Sequence, residues 1–102
     1  MKIPKTIKIA GHLYRTKIKN GTWSGDTMSR GQVNTNVLAI KLDKNMPKSR
    51  KGETLVHEII HAIYHEYGLE DTDKEERIVS VLSTGLYQVL VDNPKLKKIF
   101  DK

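Results

Sequence analysis

Glu53-Thr54-Leu55-Val56-His57-Glu58-Ile59-Ile60-His61-Ala62-Ile63 carries two patterns at once. Leu55, Val56, Ile59, Ile60 and Ile63 recur at helical spacings, which predicts a largely buried helix. On such a helix His57 and His61 lie one turn apart on one face, about 6 Å apart at Cβ, so both imidazoles can reach one metal ion at ~2.0–2.1 Å. Glu58, next to the first histidine, projects beside the ion, where a general base for a metal-activated water belongs. H-E-x-x-H arises by chance in roughly one such sequence in a hundred at this His and Glu content, so its setting must decide. The setting is favourable, because two imidazoles and a carboxylate on a buried helix cost free energy unless they are bonded.

An open zinc site needs a third protein ligand, with the fourth position left for water. The chain has no cysteine, which leaves histidine and carboxylate donors and excludes disulfides and thiolate sites. His65 continues the same face, but along an unbroken helix it stands about 12 Å from His57 and cannot close the same coordination sphere. It reads instead as an exposed or supporting histidine near the helix end; His12 is the remaining histidine. The loop Gly68-Leu69-Glu70-Asp71-Thr72-Asp73 offers a Gly C-cap and an Asp N-cap at Asp73, and a second helix should follow. Two carboxylates open that helix. Glu75 falls with Ile78, Val79, Leu82 and Leu86 on what looks like its hydrophobic stripe; Glu76 falls with Val79, Ser80 and Ser83, small enough to let two helices share an ion. Helical geometry therefore favours Glu76 over Glu75 as third ligand, while the helix dipole alone accounts for one of the pair.

The run from Glu53 to Ile63, followed by Glu76-Arg77-Ile78-Val79 and by Gly85-Leu86-Tyr87-Gln88-Val89-Leu90 with Asp92-Asn93, resembles small phage and prophage zinc-metallopeptidase-like proteins. Their layout is similar to that of the ImmA/IrrE and SprT-like groups: a short sheet, an H-E-x-x-H helix and a second helix supplying a glutamate. The resemblance is strong over the C-terminal half and one of layout over the N-terminal half. It implies a minimal zincin-like α+β fold and peptide-bond hydrolysis, with Zn2+ held by His57, His61 and Glu76 and with Glu58 as base. The E-x-x-A-N signature of the ImmA/IrrE second helix is absent as such; its nearest counterparts are Glu76-Arg77-Ile78-Val79-Ser80 or a register beginning at Ser80.

At 102 residues the chain fits one domain with a modest core, its β part over about 5–43 and its helical metal-binding part over about 50–93. No apolar run approaches the ~18 residues of a membrane span, and Met1-Lys2-Ile3-Pro4-Lys5 has no apolar segment behind it. A cytoplasmic protein acting on a peptide or protein, in a host cell if phage-encoded, is the expectation. The net charge of +6 hides a split: between Glu53 and Asp92 only Lys74 and Arg77 oppose nine acidic residues, while the flanks are basic. Acidic surroundings help hold a cation. The basic flanks leave nucleic acid open as a partner, although few aromatics are interleaved for base stacking.

Thr6 to Ala10 and Leu13 to Lys19 alternate around Gly11-His12 as a hairpin, Gln32-Val33-Asn34 suggests a short strand, and Val37 to Leu42 reads as the clearest strand after the hairpin. Asn20-Gly21 reads as a turn, and Asn45 to Gly52 as a polar connection into the metal helix. Asn93-Pro94 should end the second helix, with a short terminal helix over Lys95 to Phe100. The expected architecture is a small antiparallel sheet packed on two long helices. An extended substrate would pair with a free edge, provisionally Val37 to Leu42, with Trp23 and Met28 as candidate pocket residues and Tyr64, Tyr67, Tyr87, His65 or His12 as candidate partners of a developing oxyanion. Two other classes stand beside the peptidase: a noncatalytic metal-binding or regulatory module, and a small basic nucleic-acid binder.

Overall fold

The computed structural model describes residues 3–20, 30–69 and 74–100, which form an α+β arrangement. Strands β1 (Thr6–Ile9), β2 (His12–Lys19), β3 (Gly31–Asn34) and β4 (Ala39–Asp43) precede helices α1 (Lys48–Glu66) and α2 (Glu75–Asp92) and a 3₁₀ segment, Pro94–Phe100. Ala10 and Gly11, at φ 51° and 82°, form the two-residue β1–β2 turn, whose double positive φ matches the twist of a tight hairpin.

The sheet is mixed, which corrects the antiparallel expectation. Its order is β1-β2-β4-β3, with β2 and β4 parallel through Arg15↔Ala39 to Lys19↔Asp43 and the two outer pairs antiparallel. Period-two alternation puts side chains on the correct face in either direction, so it carries no sign for strand polarity. A second correction concerns the edge. Val37 and Leu38 lie in the turn before β4, Leu38 at φ 54°, and β4 is an inner strand with Ala39, Ile40, Leu42 and Asp43 buried. Among the described residues, β3 is the outer strand on that side.

Ile9, Tyr14, Ile40, Leu42 and Met46 pack against Leu55 and Ala62 of α1 to form the core. Tyr14, fully buried, donates its hydroxyl to Glu66 Oε2 at 2.5 Å and so ties β2 to the end of α1. Helix α1 begins at Lys48, earlier than the polar connection suggested, because Pro47 presets a helix-compatible φ of −58° and its carbonyl accepts the Lys51 N–H at 3.0 Å. It ends in a Schellman motif: Leu69 N–H bonds Tyr64 O at 3.0 Å, Gly68 N–H bonds His65 O at 3.2 Å, and Gly68 takes φ 79°.

Helix α2 packs on α1 and on the 3₁₀ segment but not on the sheet. A single helical neighbour buries only the narrow row Glu75, Val79, Ser83. Ile78, Leu82 and Leu86, expected as its buried stripe, are exposed. Its N-cap is Lys74, without a side-chain cap; Asp73 lies outside the described residues. No described helix is long and apolar enough to cross a membrane.

Candidate metal centre

His57 and His61 face α2 from one turn of α1, their Nε2 atoms 3.1 Å apart and their rings edge-to-face. The first turn of α2 places Glu76 over them: Oε1 lies 2.8 Å from His57 Nε2, and Oε2 lies 3.0 Å from His61 Nε2. One ligand atom from each residue falls within 4.8 Å of the others, a group able to hold a metal ion. Tetrahedral bonds of 2.0–2.1 Å separate neighbouring ligand atoms by roughly 3.3 Å, so the three donors are gathered at close to the required spread.

The hydrogen bonds behind the two rings show what the centre demands. Glu75, buried, sets Oε2 2.7 Å from His61 Nδ1 and can only accept there as a carboxylate, so Nδ1 holds the proton and Nε2 the lone pair. Ser83 Oγ donates to Ser80 O at 3.2 Å, leaving its lone pairs for His57 Nδ1–H at 3.3 Å. That fixes the same tautomer on His57. With those tautomers two imidazole lone pairs and a carboxylate point into one small volume, and either a proton shared between Nε2 and Glu76 or a cation among the three relieves the repulsion. The donor set therefore fits a divalent metal ion with an affinity for nitrogen and oxygen. His65 stands behind the site, Nε2 3.4 Å from Glu75 Oε2, and the other oxygen of Glu75 is buried without a partner among the described residues.

Glu58 is buried beside the two histidines. Desolvation raises its pKa from 4.5 to about 7, with His61 pulling it down and Glu76 pushing it up. Burial comes partly from β3. A Cβ on Gly31 would fall 2.5 Å from Thr54 Cγ2 and 3.0 Å from Glu58 Oε2, so only glycine lets the strand approach this closely.

A cavity of about 760 Å³ opens over this group, walled by one face of α1, by β3 and by the first turns of α2. His65 lines it; His12, Tyr64, Tyr67 and Tyr87 do not. His12 stands instead 4.0 Å from Glu66. Trp23 and Met28 lie outside the described residues. Sequence reasoning missed five contributors: Glu75 and Ser83 as hydrogen-bond acceptors behind the rings, Gly31 against Glu58, and Arg30 with Arg50 in the cavity wall. The i, i+4, i+8 spacing of Glu75, Val79 and Ser83 was the signal for the first two; Gly31 carried none beyond being a glycine at a strand start.

The fold and site together define an α+β protein with a His-His-Glu group, backed by oriented tautomers, at the floor of an open groove. Comparison with protein-family models, with curated proteins and with solved structures finds no match.

Proposed function

We propose that this protein is a zinc-dependent peptidase that hydrolyses peptide bonds with water, with His57, His61 and Glu76 as ligands and Glu58 as general base. The observation that carries the reading is the convergence of two lone-pair imidazole nitrogens and a carboxylate within about one coordination sphere, with a buried carboxylate beside it. Zinc bound there would supply the Lewis acidity that makes water a nucleophile near neutral pH and polarises a carbonyl. Everything else falls to the chain. Glu58 accepts the proton of the attacking water and delivers it to the departing amine, a role supported by its buried place beside the two histidines. Glu75 and Ser83 hold the rings in register through Nδ1. The edge of β3 offers main-chain donors and acceptors to an extended peptide, fixing one carbonyl over the group. His65, in the cavity wall, is the histidine available to a developing oxyanion.

The reading extends to a peptide or protein substrate in the cytoplasm, of a host cell if the chain is phage-encoded. Zinc per chain, measured by native mass spectrometry, tests it together with peptide cleavage. Wild type should carry one zinc, and His57→Ala, His61→Ala and Glu76→Ala should carry none. Glu58→Gln should keep the metal and lose cleavage. Wild type that takes up no zinc at micromolar concentration refutes the reading. One zinc with no cleavage of any peptide would leave a metal-binding module.

A further inference from the structure

The groove is electrically lopsided. At the metal end lie Glu58, Glu75 and Glu76, each with a role or partner above; Glu53, one turn before His57, accepts from Thr84 Oγ1 at 3.2 Å. Among the described residues, Arg30 and Arg50 are the only Lys or Arg that line the cavity. Neither guanidinium has an ion pair or side-chain hydrogen bond among the described residues, although carboxylates line the same cavity. Arg50 precedes His57 by seven residues, which is two turns, so it shares the metal face of α1 about 10 Å up the axis. Arg30 immediately precedes β3, the edge strand that walls the groove. Arg30 and Arg50 thus line the groove from two of its walls.

We infer that Arg30 and Arg50 form a subsite for a carboxylate side chain of an extended peptide, making the enzyme selective for Asp or Glu at a fixed distance from the cleaved bond. The inference rests on the peptidase reading above. An extended chain advances about 3.3 Å per residue, so about 10 Å corresponds to three residues from the bond over the metal group. Guanidinium forks match carboxylates in geometry and charge, and a second arginine adds to the preference. A peptide with one acidic residue fits this groove better than nucleic acid does, because a polyanion would have to run past Glu53 and Glu76 as well.

The test uses the full chain loaded with zinc and two readouts. Blocked peptides with a single Asp scanned through an otherwise uncharged sequence, and the Asn versions, are incubated with wild type and cut sites are read by mass spectrometry. The same peptides are titrated calorimetrically into Glu58→Gln protein, with and without Arg30→Gln and Arg50→Gln. The expected result is about tenfold tighter binding of the best Asp peptide than of its Asn twin. That preference should disappear in the double arginine variant while zinc content and melting temperature hold. Cutting should fall at one fixed distance from Asp. Equal binding of the Asp and Asn peptides overturns the subsite, as does a preference that survives both substitutions. So does a single-stranded oligonucleotide that binds more tightly than every peptide and is lost with the same two arginines. Acid preference without cleavage refutes the peptidase reading and keeps the subsite; cleavage indifferent to Asp does the reverse.

Discussion

On the metal reading proposed above, substituting Glu75 separates a residue that would hold a ligand from one that would be a ligand. Its Oε2 fixes His61 through a 2.7 Å bond to Nδ1, on the side of the ring away from the Nε2 that faces Glu76. Glu75→Ala leaves all three donors in place but frees the His61 ring and lets its proton move to Nε2. Loss of such an outer partner weakens metal binding by about 10–100-fold, or about 1.4–2.8 kcal/mol. Glu75→Gln keeps an oxygen for Nδ1–H and loses only the charge, so it should fall near the lower bound. Glu76→Ala removes a donor and should cost more than either. The metal-free protein should respond differently: a buried carboxylate with an unpartnered oxygen is costly, so Glu75→Gln should not lower its melting temperature. Competition against a zinc indicator at constant pH gives the affinities, and thermal unfolding in chelator gives the stabilities. Wild-type affinity in Glu75→Ala would refute the reasoning. A larger loss in Glu75→Ala than in Glu76→Ala would exchange the roles of the two glutamates.

Three further outcomes are expected. Gly31→Ala should destabilise the protein by about 1–3 kcal/mol through its collision with Thr54 Cγ2, and Thr54→Ser should return part of that loss in the double variant, as read from denaturant midpoints. In the metal-free protein Glu58 binds its proton more tightly folded than unfolded, so its stabilising contribution is complete below pH 4.5 and is lost as pH rises through about 7. The loss is about 3 kcal/mol, and a stability profile of Glu58→Gln lacking that slope, against wild type possessing it, is the check. Tyr14→Phe should cost about 1–2 kcal/mol in urea unfolding, because it deletes the bond between β2 and the last turn of α1 and leaves Glu66 without that donor.

The metal-facing side of α1 was legible because one period governs both its burial and its histidine spacing. The small residues beside Glu76 set it apart from Glu75 in the sequence, but the rest of α2 is less legible. Ile78, Leu82 and Leu86 have the spacing of a packed stripe, whereas the buried row is Glu75, Val79 and Ser83. Apolar residues lie nearly all around this helix, so hydrophobicity could not name the face, and the polar pair Glu75 and Ser83 was buried for its bonds to the histidines. Strand polarity escaped for a different reason: alternation in β2 and β4 is the same for parallel and antiparallel neighbours. The inner position of β4 did leave a trace in Ala39, Ile40 and Leu42, which are buried in the strand paired on both edges, by β2 and by β3. Arg30 and Arg50 looked like two members of a basic flank until the fold separated them from the rest.

Gly31 also acts as a key that admits β3 in one alignment only. A slip of the strand by one residue in either direction would bring Arg30 or Gln32 to the place where even a methyl group meets Thr54 and Glu58. The pairing of β3 with β4 is thereby indexed to Glu58 to the nearest residue. On the peptidase reading, a substrate chain that added to β3 would inherit that index, and a contact the peptide never touches would choose which of its bonds stands over the histidines.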